Sequence, residues 1–317
     1  MQFAWPFTAR VGDNRDKEEN WSSTGDAEPD FLCVGAQKAG TSWLYQQLAS
    51  HPDFWMPPIK EVRYFDKLSR TKASPPRPRD QRDIGFLESM KSLSGRPFID
   101  LESYARLFES KGSLLSGDIS PTYSTLNDEI IQRVISYLPN SKVIFIARDP
   151  VERVWSQLSM GVRLGMISPF DVTDIGEVSR NLLNSGVLLL SHPSRIVARW
   201  KRYVHPDLFR TYFFDDLERD PAELRRSILD FLGADPNKPS GRLRADYNSD
   251  VGRKKLRLSE KVRSHVAQFF KQELKVCAAE LGGPARDWPR RYGFSFLSFF
   301  AMLADNFDLF LWSDWIA

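Results

Sequence analysis

The sequence predicts an α/β protein, a parallel sheet flanked by helices on both faces. Three observations predict it. Short apolar runs alternate with amphipathic stretches through the middle of the chain, the order of strands and crossover helices rather than of hairpins. The apolar runs are nearly continuous, as expected of strands covered on both faces. With 317 residues, 42% apolar and 27% charged, the chain has the composition of a globular protein able to bury a large core.

The first strand is Phe31–Gly35, followed by a glycine-containing turn and a helix over 41–50. Further strands are expected at 114–119, 143–147 and 211–214. Helical spacing covers 127–138, 150–162, 187–203, 221–232 and 259–281. Residues 69–82 (SRTKASPPRPRDQR) are rich in proline and arginine and read as an exposed basic loop. There is no internal repeat.

These elements give one domain over 30–283. Residues 1–29 form a polar, mobile tail with no apolar run long enough for a signal peptide or a membrane anchor. Residues 284–317 form an aromatic-rich helical extension. In it Phe294, Leu297, Phe300, Leu303, Phe307, Phe310 and Leu311 follow helical spacing, while Asp305 and Asp308 interrupt a membrane span. Such a helix can pack on the domain, on a second copy of the chain, or at a bilayer surface, with Arg286, Arg290 and Arg291 facing anionic headgroups.

Composition narrows the partners. Basic residues number 44 and acidic ones 41, a net charge of +3, which argues against a nucleic-acid coat. Two cysteines, Cys33 and Cys277, make no disulfide framework, and four scattered histidines make no zinc cluster. The expectation is a reduced, cytoplasmic protein that needs no metal.

The strongest local signal is 31–44 (FLCVGAQKAGTSWL). A strand leads through Gly35 and Gly40 into a helix whose first N–H groups lack intrahelical acceptors, a natural anion site. Thr41 and Ser42 add hydroxyls, and Lys38 adds an ammonium. The frame is P-loop-like, yet Thr41 stands where the Walker A motif has its lysine, which disfavours a nucleoside-triphosphate kinase. A second signal is 142–157 (KVIFIARDPVERVWSQ). There Arg148 follows a buried strand at its carboxyl end, where open α/β sheets bind ligands, and Pro150 suits the first turn of the next helix. Asp149, Glu152 and Arg153 are expected to cap that helix and form surface ion pairs.

The first motif resembles the 5′-phosphosulfate loop of the sulfotransferases that use 3′-phosphoadenosine 5′-phosphosulfate (PAPS). The second resembles their 3′-phosphate motif. Residues 117–123 (GDISPTY) are similar to a segment of the heparan-sulfate-type and bacterial branches, and 213–221 with 231–233 to a later family pattern, although Phe214 stands where many members have tyrosine. The resemblance implies a sulfotransferase fold. It further implies that Lys38, Ala39, Gly40, Thr41 and Ser42 bind the 5′ side of PAPS, that Trp43 lies against its adenine, and that Arg148 and Ser156 bind its 3′-phosphate. Gly252, Arg253 and Lys254 are expected to lie in a late loop over the nucleotide.

Sulfuryl transfer needs a base for the acceptor's proton and positive charge at the bridging oxygen. Residues 60–66 (KEVRYFD) resemble the motif whose glutamate is the base in the heparan-sulfate-type branch. That implies Glu61 as base, Lys60 beside the leaving phosphate, Lys38 at the bridge, and Asp118 as a reserve. His51 looks like a helix cap. The acceptor, a hydroxyl or amine of a carbohydrate, lipid or small molecule, is not specified by sequence. The alternatives left open are a P-loop-type nucleotide kinase and a catalytically inactive nucleotide-binding or membrane-associated protein.

Overall fold

The computed structural model describes residues 28–67, 77–93, 99–184, 186–238, 244–245 and 255–294. In chain order the elements are β1 (Phe31–Gly35), α1 (Thr41–Ala49), α2 (Tyr64–Lys67), α3 (Gln81–Leu93), α4 (Leu101–Arg106), β2 (Gly117–Ile119), α5 (Asp128–Tyr137) and β3 (Lys142–Ala147). They continue with α6 (Pro150–Arg163), α7 (Ile175–Asn184), α8 (Pro193–Lys201), β4 (Phe209–Phe213), α9 (Phe214–Arg219), α10 (Pro221–Leu232), α11 (Glu260–Phe269) and α12 (Lys271–Glu280).

The four strands form one parallel sheet in the order β2-β1-β3-β4. Every residue of β1 and β2 is buried, and all of β3 except Lys142. Burial of consecutive residues requires cover on both faces, so the sequence reading of the fold class holds. The chain leaves β1 for β2 on one side and reaches β3 on the other. The carboxyl ends of β1 and β3 therefore meet at a reversal of strand order, where such sheets leave a crevice.

Two compact units divide the chain. The first draws on residues up to 147 and on 196–251, the second on 148–195 and from 252 onward. The first holds the sheet, with Phe31, Leu44, Leu48, Phe86, Phe108 and Phe145 in its core. Residues 28 and 29, read from sequence as the end of the tail, are tied into it: the Glu28 carbonyl accepts from Lys111 Nζ at 2.7 Å and the Pro29 carbonyl accepts from Ser141 Oγ. The Asp30 carboxylate accepts from Lys111 Nζ at 2.7 Å and from the Ser116 amide at 2.7 Å. In the second unit α6, α7 and α11 pack together around Val154, Leu158, Val178, Leu182, Val262 and Val266. Cys33 and Cys277 are free and buried.

Several boundaries differ from expectation for physical reasons. Residues 187–192 are not helical, and α8 opens on Pro193, because the residue before a proline is driven from the α region and proline suits a first helical turn. The stretch 259–281 is two helices, broken at Phe270, which is buried at the joint. Residues 114–116 lie outside β2; there Leu115 exchanges backbone hydrogen bonds with Asp53 and Trp55 at 2.9 Å. Of the basic loop, 77–82 are exposed, but Arg79 anchors the start of α3 through the buried Asp83. Residues 1–27 and 295–317, which hold the tail and most of the aromatic extension, lie outside the described residues.

Candidate active site

In the first unit β1 runs into the turn 36–40 and then α1. A side chain at Gly35 would meet the Phe145 ring at 2.6 Å, so the strand end requires glycine. Lys38 adopts φ 69°, and Gly40, at φ 90°, is the N-cap of α1. A glycine cap offers no side-chain acceptor, and the first turn carries no acidic residue. The helix start thus keeps its positive end for an anion. Around it Lys38 is half-buried, Ala39 and Thr41 are buried and Ser42 is exposed. Trp43 is buried and its indole N–H donates to the Ala245 carbonyl at 2.6 Å, while Gln47 Nε2 donates to the Arg244 carbonyl at 2.9 Å.

The second piece of this site arrives from residues 57–66. Tyr45 on α1 donates to the Pro57 carbonyl at 2.7 Å and fixes the approach. Lys60 Nζ then lies 2.9 Å from Glu61 Oε1 and 3.5 Å from Thr41 Oγ1. One ammonium therefore joins the glutamate to the first residue of α1. Both side chains keep partial exposure, 22% for Lys60 and 34% for Glu61.

Asp118 is fully buried and accepts from Ser120, Tyr123 and Tyr104 at 2.7, 2.7 and 3.0 Å. Burial pushes its carboxyl up to about 6 against those hydrogen bonds. Sealed in this way it cannot touch an acceptor, so the reserve role as base is not met. His51 is also buried. Its Nε2 faces the Asp235 carbonyl at 3.0 Å and its Nδ1 accepts from the Asp53 amide at 3.2 Å, a structural tie. His192 contacts the Leu188 carbonyl at 3.0 Å, and His265 contacts Ser179 at 2.8 Å. His205 caps a short turn, its Nδ1 accepting from the Asp207 amide at 3.3 Å, so each histidine is engaged in a local hydrogen bond.

In the second unit Arg148, half-buried, directly follows β3, and Ser156 lies half-buried on α6. The expected surface ion pairs are replaced by something tighter. Asp149 is buried; its Oδ1 caps α6 by accepting from the Val151 amide at 3.0 Å, while its Oδ2 accepts from Tyr292 at 2.8 Å and Arg291 at 3.3 Å. Burial pushes this carboxyl up to about 6, with the Tyr292 hydroxyl and Arg291 opposing. Arg153 is buried too, donating to Ser191 Oγ at 2.9 and 2.6 Å and to the Val187 carbonyl at 2.7 Å. Burial, aided by Arg148, pulls its guanidinium down to about 9. Of the three, Glu152 comes nearest to the expected pair, meeting Arg263 with both side chains half-buried.

Sequence reasoning missed the grip of 291–292 on Asp149. Nothing in the local pattern signals a contact of that range; facing headgroups is one of three options the sequence leaves for Arg291. Gly252, Arg253 and Lys254 lie outside the described residues. Just beyond them, the backbone of Leu256 is held to α6: Trp155 donates to its carbonyl at 2.9 Å, and its amide donates to Ser159 Oγ at 3.2 Å. Among the described residues no group of His, Cys, Asp and Glu could hold a metal ion, and no helix is long and apolar enough to cross a membrane.

Comparison with known proteins decides the family. A family model described as the Sulfotransferase family matches residues 29–237, well over half of the chain. The chain belongs to the sulfotransferase family. The match sets aside the kinase alternative and covers both 31–44 and 142–157. Over 139 residues, 43% of the chain, it is 28% identical to the membrane-associated sulfotransferase kil1 of Dictyostelium discoideum. Over 90% of the chain it is 24% identical to the human bifunctional heparan sulfate N-deacetylase/N-sulfotransferase 2. The matches span only 23% and 34% of those two relatives' own lengths. Among solved structures, a sulfotransferase from Alicyclobacillus acidocaldarius aligns with a TM-score of 0.59 at 22% identity, covering 82% of this chain and 98% of that one. That likeness is one of fold.

Proposed function

We propose that this sulfotransferase moves a sulfuryl group from PAPS to a hydroxyl or amine acceptor by in-line displacement. The observation that carries the proposal is the Lys60 ammonium, 2.9 Å from Glu61 and 3.5 Å from Thr41, which joins a base to an anion cradle. The glycine cap, the left-handed Lys38 and the hydroxyls of Thr41 and Ser42 suit the 5′ end of the nucleotide. Ala39 completes that side, and Trp43 lies against the adenine. Arg148 and Ser156 bind the 3′-phosphate, and Gly252, Arg253 and Lys254 supply the late loop.

When bound, PAPS supplies the sulfuryl group together with a phosphate leaving group. Lys38 and Lys60 hold positive charge where the bridging oxygen becomes anionic. Glu61 takes the acceptor's proton as the acceptor attacks sulfur. No metal enters this scheme. A glycan heads the acceptor candidates because the human relative's name specifies heparan sulfate; lipid and small alcohol or amine acceptors follow. Cytoplasmic placement, with peripheral membrane contact or a homodimer formed through the C-terminal segment, completes the proposal. The membrane option draws on the name of the Dictyostelium relative and on the apolar composition of 294–317.

Calorimetry with adenosine 3′,5′-bisphosphate tests the donor assignment. Binding is expected without metal, and absence of both heat and thermal protection would end the proposal. Lys38→Ala and Arg148→Ala should each abolish transfer of radiolabelled sulfate to a panel of glycans, lipids and amines, the second mainly through lost bisphosphate binding. Normal turnover and affinity in both variants would overturn the site.

A further inference from the structure

The segment that carries Glu61 has an unusual support. Three consecutive backbone amides directly after the glutamate face one buried cluster. The Val62 amide faces the Asp118 carboxylate and favours its ionised form. The Arg63 amide donates to Ser120 Oγ at 2.9 Å, and the Tyr64 amide to the Tyr123 hydroxyl at 3.0 Å. Ser120 and Tyr123 in turn donate to Asp118, at 2.7 Å each.

A carboxylate only accepts hydrogen bonds, and a hydroxyl has a single proton. With the protons of Ser120 and Tyr123 directed to Asp118, their lone pairs are left for the two amides. One buried ion therefore sets the polarity of the whole cluster. The arrangement also holds Arg63 at φ 54°, a left-handed conformation unfavourable for a residue with a Cβ. Aromatic contacts close around it: Tyr64 stacks on Tyr104 at 5.4 Å, and Phe65 packs on Tyr104 and Tyr123 at 4.5 and 4.9 Å.

We propose that Asp118 is a positioning residue for the transfer step: its buried carboxylate fixes the amides of residues 62–64 and thereby presents Glu61 and Lys60 at the start of α1. This rests on the assignment of Glu61 as base. Asp118 lies 57 positions further along the chain and touches no substrate. It acts only through the backbone that it and its two hydroxyl relays hold.

The test compares Asp118→Asn and Ser120→Ala in the full chain, each alone and combined with Glu61→Gln. The carboxamide is nearly isosteric but cannot accept from the hydroxyls of Tyr104, Ser120 and Tyr123 on the same pattern. Hydrogen exchange at amides 62–64 should accelerate at least tenfold in Asp118→Asn, with bisphosphate affinity unchanged within about threefold. The kcat for the best acceptor of the panel should fall about 10- to 100-fold, the scale of a misplaced group, while the donor KM holds. In the Glu61→Gln background the added loss should be under about threefold, since the group being positioned is already gone. Should Asp118→Asn fail to fold, Ser120→Ala releases the Arg63 amide alone and is expected to show the same pattern, smaller. Unchanged exchange at 62–64, an unchanged kcat, or the full loss repeated in the Glu61→Gln background would overturn the proposal. A full-rate Glu61→Gln enzyme would instead overturn the base assignment, with the exchange data still reporting on what Asp118 holds.

Discussion

The hydroxyl of Tyr292 meets the buried carboxylate of Asp149 at 2.8 Å, across 143 positions of sequence. Asp149 also caps α6 and sits between Arg148 and Pro150, so the end of the described chain braces the turn that carries a proposed phosphate ligand. Tyr292→Phe leaves the ring and removes one hydrogen bond to a buried carboxylate, a change worth about 1–3 kcal/mol. Urea denaturation at pH 7 should register that loss, and an unchanged midpoint would show the contact to be idle.

Glu61→Gln keeps size and hydrogen-bonding capacity but cannot take a proton. Transfer should slow by about two to four powers of ten, while calorimetry returns wild-type affinity for adenosine 3′,5′-bisphosphate. Loss of affinity with an intact rate would place Glu61 on the donor side instead.

Gly40→Ala tests the cradle through its backbone. At φ 90° a side chain is strained, and the new methyl would lie 2.6 Å from Leu217 Cδ2. Leu217 can rotate away but the dihedral cannot be relieved, so a cost of about 1–2 kcal/mol is expected. The bisphosphate affinity should fall as the first turn of α1 shifts. Calorimetry together with a thermal melt separates the two effects, and wild-type values in both would refute the role of the cap.

Asp149 links stability to pH. Its carboxyl titrates at about 6 in the folded chain against an ordinary value of 3.8, so the fold binds this proton more tightly than the unfolded chain does. Its contribution is greatest below pH 4 and is lost as pH rises through 6, by at most about 3 kcal/mol. The stability deficit of Asp149→Asn relative to wild type should therefore shrink between pH 4 and pH 7 in urea denaturation. A deficit constant across that range would contradict the assignment.

Much of this was legible beforehand because it is local. The strand Phe31–Gly35 and the helix Pro221–Leu232 were read to the residue, since an apolar run with a glycine exit, and a proline start with a glycine stop, are complete signals in themselves. Helix α3 was missed although Phe86, Met90 and Leu93 have helical spacing and are buried. The proline- and arginine-rich stretch before it masked its start. Glu61, Lys60 and Thr41 could be named separately, but their meeting needed the fold. The hardest features were charges turned inward. Asp149 and Arg153 look like surface residues in the sequence, and only partners more than thirty positions away, Tyr292 for one and Ser191 for the other, reveal them as buried.

The shared ammonium of Lys60 has a kinetic corollary. An anion settling beside Thr41 and the carboxylate of Glu61 compete for one cation, so occupancy at either place alters the other. Such coupling is reciprocal by thermodynamic necessity. Under the proposed assignment, whichever of the two substrates enters first changes the reception of the second, and by the same factor in either order.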